Sequence, residues 1–300
     1  METLSQKIDF AAILLVKNAN PNGDPLNGNR PRTTYDGFGE ISDVCLKRKI
    51  RNRLQAFGIP VFVQSDDNRV DEYSSLRARA EGELSHVPKG DEKAFRKESC
   101  GKWIDVRAFG QLFAFTGDKK KGKGKAKDSE DETEQSESVS IGIRGPVSIH
   151  SAYSVGPVNT TSIQITKSVS GQGDGKKRDS DTMGMKHRID HGVYATYGSM
   201  NPQLATATGF SDDDAASIKR ALVTLFENDA SSARPEGSME VVKVYWWKHK
   251  NKNGQFSSAK VHRSLEISVK GGITEPHSID DYEIQLTPLE GLDVEIIEGR

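Results

Sequence analysis

The run IDFAAILLVK at positions 8–17, the loop NANPNGDPLNGNRPRTTYDGFGE at 18–40 and the run SDVCLKRKIRNRL at 42–54 decide the fold class. The first is β-rich and apolar, and it stops at a cluster of Asn, Gly, Pro and Asp, which are turn formers. In the last, Leu46, Ile50 and Leu54 follow helical spacing, and Ser42 stands where an N-cap belongs. The chain therefore opens as strand, long loop, helix. After residue 138, strand-like runs recur at 139–143, 147–155 and 160–166, followed by a polar, glycine-rich tongue at 167–190. Ser211 with Asp212, Asp213 and Asp214 caps a second helix, whose apolar stripe is Ile218, Leu222, Leu225 and Phe226. Strand-like runs return at 241–247, 261–269 and 282–286.

Without its insertions this order is β-α-β-β-α-β, the split βαβ pattern of ferredoxin-like and RRM domains, which predicts an α+β fold. Positions 60–115 are weakly patterned and charged, with short apolar runs at 60–63 and 103–115, and suggest a subdomain inserted after the first helix. At 118–127, DKKKGKGKAK carries six Lys against one Asp, and at 128–137, DSEDETEQSE carries six acids and no base. A stretch so poor in apolar residues buries too little surface to offset its ordering entropy, so a solvated surface loop is expected at 117–138.

The whole chain has 300 residues, with 42 Lys+Arg against 43 Asp+Glu, 34% hydrophobic residues and a mean hydropathy of -0.62. That is enough for one large domain or two ordinary ones, and it excludes collagen, coiled coil and mini-protein. Two cysteines, Cys45 and Cys100, form no disulfide framework and no zinc-finger spacing, which points to a reducing cytoplasm. The first apolar run is too short to cross a bilayer, so no membrane partner is expected. A net charge of -1 gives no bulk support for nucleic-acid binding, and the distribution of charge has to decide.

Three features carry that distribution. The loop at 18–40 is long for a structureless connection, a length usually tied to function or disorder. Arg30 and Arg32 follow its turns, and the first helix adds Lys47, Arg48, Lys49, Arg51 and Arg53 with no acid after Asp43. Lys47, Arg48 and Arg51 lie away from the apolar stripe, on a face suited to phosphates or to plain solvation. The stretch 241–265 holds six cations interleaved with Tyr245, Trp246 and Trp247; the two tryptophans point to opposite faces of a strand, as core, interface or base-stacking groups. In the tongue, six cations face four acids, and Met183 and Met185 either wedge between bases or pack beneath the sheet. His187 and His191 have chelating spacing on a helix, but their surroundings read as strand and turn and lack a third ligand. No catalytic constellation and no cofactor motif is legible.

These pieces together resemble a known family. NANPNGDP at 18–25 with NRPR at 29–32, SDVCLKRKIR at 42–51, IRGPV at 143–147, TMGMKH at 182–187 and GVYATY at 192–197 resemble, in collinear order, the repeated backbone subunit of type I-C CRISPR interference complexes (Cascade), of the RAMP superfamily. Met185 stands where an Arg often follows the first Gly of the TMG segment, leaving Lys186 and Arg188 as the local cations. The resemblance implies a hand-like molecule. Its RRM-like palm takes residues 1–59 and 139–300, an inserted finger region takes 60–138, and a β-hairpin thumb lies at about 160–191. It also implies a guide RNA (crRNA) as partner, target DNA reached through pairing with that guide, neighbouring copies stacked in a helical filament, and other Cascade subunits. The RNA contacts it implies are Asn20, Asn22, Arg30, Arg32, Lys47, Arg48, Arg51, Arg144, Lys167, Met183, Met185, Lys186 and Arg188, with no cofactor, metal or catalytic residue. The alternative is an endoribonuclease of the same superfamily, for which Asp24 and Asp36 occupy the corresponding loop.

Overall fold

The computed structural model describes residues 2–88, 90–115, 139–166 and 183–300. The apolar run becomes β1 (Ile8–Ala19), buried on both faces over most of its length. After the short strands β2 (Gly23–Asp24) and β3 (Arg30–Pro31), which pair with each other, come β4 (Phe38–Ile41) and helix α1 (Asp43–Ala56). Ser42 caps α1 by accepting from the Cys45 amide at 3.4 Å, and Leu46, Ile50 and Leu54 are buried as their spacing predicts. The region expected as an irregular loop is thus largely ordered by local pairing.

Next come α2 (Leu76–Glu83), α3 (Glu92–Lys102) and α4 (Ile104–Phe109), then the hairpin β5 (Gly110–Phe115) and β6 (Val139–Arg144). They share a core of Phe62, Leu84, Trp103, Val106, Phe113 and Ile141, in which the Phe62 ring lies 4.8 Å from Trp103 and 5.0 Å from Phe113. The charged loop at 117–138 lies outside the described residues.

The remaining chain builds the main sheet. The run read as one strand at 147–155 divides into β7 (Val147–Ile149) and β8 (Ala152–Pro157), with His150 and Ser151 between them. Then follow β9 (Thr160–Thr166) and β10 (Met183–Met200), an 18-residue strand that absorbs the end of the tongue. Helices α5 (Pro202–Thr208) and α6 (Asp212–Val223) precede β11 (Met239–Lys248). A reciprocal capping box between Ser211 and Asp214 starts α6. The stretch 261–269 is not a single strand. Ser257 accepts from the Lys260 amide and nucleates α7 (Ser258–Arg263), and only Leu265–Val269 is extended, as β12. β12 pairs with β13 (Tyr282–Leu286) apart from the main sheet, and β14 (Val294–Glu298), which no sequence pattern announced, adds an edge strand to β11.

The main sheet has eight strands, all antiparallel, in the order β14-β11-β1-β10-β8-β4, with β7 and β9 also pairing with β10. One face carries α1 and α6 over Phe10, Leu14, Tyr194, Val244 and Trp246. The other face is covered by α7, β12 and β13 over Ile13, Val193, Tyr245 and Trp247. Trp246 and Trp247 therefore do face opposite ways, and both are buried, Trp246 stacked on Phe10 at 5.6 Å. Neither is available to stack on a base. No helix among the described residues is long and apolar enough to cross a membrane.

Candidate nucleic-acid interface

β1 ends where a nest of turns begins. Asn18 and Asn29 adopt left-handed φ of 55° and 59°, and Gly28 takes φ 59°. A Cβ on Gly23 would sit 2.0 Å from Asn29 Oδ1, so glycine is what lets this turn close. Asn20 donates from Nδ2 to the Asn29 carbonyl at 2.8 Å, while Asn22 Oδ1 accepts from the Ser42 amide (3.0 Å) and hydroxyl (2.7 Å). The loop is thereby fastened to the start of α1, and Arg30 and Arg32 are held beside β10, against which β3 lies.

At this end of the sheet polar atoms are left over. Asn20 Oδ1, Arg32 Nε and Arg188 Nε are buried, with no hydrogen-bond partner. Arg32 approaches Asp24 only at 3.5 Å, and Arg188 approaches Asp190 only at 3.6 Å. Such groups normally find partners, ordered water included. β9 and β10 pair in register from Thr160 and Ile189 outward to Thr166 and Met183. Met183 and Met185 are 61% and 55% exposed on that hairpin, which removes the reading that they pack beneath the sheet. Lys186 and Arg188 follow them along the strand, on its opposite face. Lys17, exposed at the end of β1, and Asn18 belong to the same edge. Sequence reasoning passed over both, although a cation closing the first strand was visible.

The helix cations expected to meet RNA each have a partner within the chain. Lys47 pairs with Asp43 at 2.8 Å, Arg48 donates to the Val63 carbonyl at 3.0 Å, and Arg51 Nε donates to Asp105 at 2.8 Å. Lys49 is engaged by Asp229, and Arg53 by Glu227 and Thr224. The acids that meet Arg51, Lys49 and Arg53 arrive from distant parts of the chain, whereas Lys47 uses the local Asp43. Arg144 is exposed on β6, just before β7 joins the Met200 end of β10, far along that strand from Arg188. Lys167 lies outside the described residues.

His187 and His191 sit on β10, not on a helix. His187 Nδ1 lies 2.8 Å from the Ser162 hydroxyl, and His191 packs on the Tyr282 ring at 5.9 Å. Among the described residues no three metal-ligating side chains converge. Asp24 caps the turn by accepting from the Leu26 amide at 3.2 Å, the structural role its Asn-Gly context suggests.

Two half-buried histidines, His191 and His262, make stability depend on pH. Burial pushes the His191 imidazole down, helped by His277 and Lys17 and opposed by Asp281. Burial likewise pushes His262 down against the pull of Asp9. The unfolded chain binds protons at these sites near a pKa of about 6.5 while the folded chain stays neutral, so their stabilising contribution is complete above that pH and shrinks below it. The urea midpoint is expected to fall between about pH 7 and pH 5; a flat midpoint over that window contradicts the assignment.

A family model described as "CRISPR-associated protein Cas7" matches residues 6–287. The chain belongs to that family. A curated Cas7 relative from Haloferax volcanii is 26% identical over 242 residues, covering 77% of this chain and 67% of the relative. Two solved chains are also similar. One, from a "CRISPR RNA-guided surveillance complex, pre-nicking", has a TM-score of 0.47 at 13% identity, covering 90% of this chain and 84% of that one. The other, from a "CRISPR RNA-guided surveillance complex", has a TM-score of 0.41 at 16% identity, covering 80% and 68%. The Cas7 assignment rests on the family match; the structural likenesses are too distant to add to it.

Proposed function

We propose that this Cas7-family chain is a noncatalytic scaffold that holds a guide RNA by its backbone in a type I-C Cascade, presents it for pairing with target DNA, and repeats along it in a helical filament with other Cascade subunits. The observation that carries this reading is the packing of β3, with Arg30 on it and Arg32 just after it, against β10, which bears Lys186 and Arg188. A guide varies in sequence, so its carrier must grip phosphates and sugars rather than base edges, and cations beside a tightly turned backbone suit that task.

In this reading the palm is ferredoxin-like. The central order β11-β1-β10-β8, with α1 following β1 and α6 following β10 on the same face, supports it. The fingers are the inserted region at 60–138 with its separate core. The thumb is the β9–β10 hairpin, whose exposed Met183 and Met185 enter between bases whatever their identity. Copies meet head to tail, and a heterologous contact of that kind runs on into a filament when its rotation does not close a ring.

The test is to incubate the chain with end-labelled guide-length RNA, with and without a divalent metal. Retention of intact RNA is expected in both arms. Cleavage in either arm transfers the assignment to the endoribonuclease alternative, and absence of retention removes the scaffold.

A further inference from the structure

The sequence holds five methionines. Met200 and Met239 are buried in the main sheet, whereas Met183 and Met185 stand exposed on the β9–β10 hairpin; Met1 lies outside the described residues. Two positions apart on one strand, Met183 and Met185 project from the same face of the hairpin, across from Thr166 and Gln164 on β9. Gln164 Nε2 donates to the Met183 sulfur at 3.3 Å. That bond engages one lone pair of the thioether and leaves the second for chemistry.

The other described sulfur atoms compete poorly for an oxidant. Cys100 is buried, and burial pushes its thiol up to about 11. Burial pushes the Cys45 thiol up as well, against the pull of Lys49 and Arg234. Peroxides react with the thiolate rather than the thiol, so both cysteines stay slow at neutral pH. A thioether has no proton to lose, and its reactivity follows access. By that measure the hairpin pair stands apart from Met200 and Met239.

We propose that Met183 and Met185 are a reversible oxidation site, at which a peroxide makes methionine sulfoxide and the chain thereby loosens its hold on guide RNA. The inference rests on the guide-binding reading and adds to it a chemical control of the hairpin. In the step, a sulfur lone pair attacks one oxygen of hydrogen peroxide, and the S–O bond forms as the O–O bond breaks. The proton of the attacked oxygen passes to the departing hydroxide, which leaves as water. The sulfur gives up two electrons and the peroxide takes them. The product exchanges a pliant apolar tip for a polar, chiral one. On Met183 the new oxygen is a strong acceptor beside the Gln164 amide, which already reaches the sulfur, so the oxidised side chain is drawn onto β9. A sulfoxide entering between bases would also lose its bound water without a replacement partner. Both side chains lie outside the core, so the fold survives the change.

The experiment treats the full chain with hydrogen peroxide, maps oxygen addition by peptide mass spectrometry, and measures binding to guide-length RNA before and after. Met183 and Met185 should each gain one oxygen ahead of Met200, Met239, Cys45 and Cys100, with the melting temperature unchanged. RNA binding should weaken about tenfold, in the range of one lost base contact, and recover after treatment with methionine sulfoxide reductase. RNA bound beforehand should shield both sulfurs from the oxidant. The double variant Met183→Leu, Met185→Leu isolates the cause: whatever affinity it starts from, peroxide should no longer lower it. Sulfoxide on both residues with RNA affinity unmoved, or an equal loss of affinity in the leucine variant, overturns the inference and leaves the scaffold reading intact. So does oxidation of Met200 or Met239 at the same rate with a falling melting temperature. An untreated chain that retains no RNA brings down the scaffold reading, and the oxidation site with it.

Discussion

Replacing Asp105 with alanine is expected to destabilise the fold by about 3–5 kcal/mol, the usual cost of stranding a buried charge by removing its partner. Asp105 is 1% exposed, near the start of α4. One carboxylate oxygen accepts from the Phe62 amide at 2.6 Å, and the other accepts from the Val63 amide at 3.0 Å and from Arg51 Nε at 2.8 Å. The substitution therefore strands two amides and a guanidinium, and unpaired buried donors are costly. The carboxylate also joins α1 to the second core, so its loss should loosen that region first. Urea denaturation provides the number. Asp105→Asn, which keeps one acceptor oxygen, should cost less, and an alanine variant within about 1 kcal/mol of the parent would contradict the role assigned to this carboxylate.

The second large effect concerns RNA. Changing Arg30, Arg32, Lys186 and Arg188 together to glutamine should weaken binding by about a hundredfold or more and lower the slope of log K against log salt by about 3, since each lost phosphate contact to a single strand removes roughly 0.7. Folding should survive, because Arg30 is exposed and Arg32 and Arg188 make only long approaches to acids. Changing Lys47 and Arg48 should leave the slope nearly untouched, because both are engaged inside the fold. Equal slopes for the fourfold variant and the parent would mean that the cationic edge does not meet the RNA.

The difference between those two sets of cations shows what the sequence could and could not convey. β1, α1 and α6 were legible because their signals are local: an unbroken apolar run, a Ser at the cap, a stripe at helical spacing. Helix α7 was not, since it is six residues long and buries only Val261, too short for a stripe. Ion pairing was not legible either. Arg51 finds its acid 54 positions away and Lys49 finds its acid 180 positions away, so counting charges along one helix could not detect them. The loop at 18–40 lay between these cases. Its Asn-Gly turns were readable, but the anchoring of Asn22 to Ser42 and the proximity of Arg188 appear only once β1 and β10 are paired.

The central claim, that this chain grips RNA by backbone charge without reading its bases, is tested most directly by equilibrium binding of the intact chain to two single-stranded RNAs of guide length and unrelated sequence, each across a range of salt. The account predicts matching affinities at every salt concentration, with log K falling linearly and in parallel for both strands. Affinity that follows sequence, affinity indifferent to salt, or no binding to either strand would contradict it.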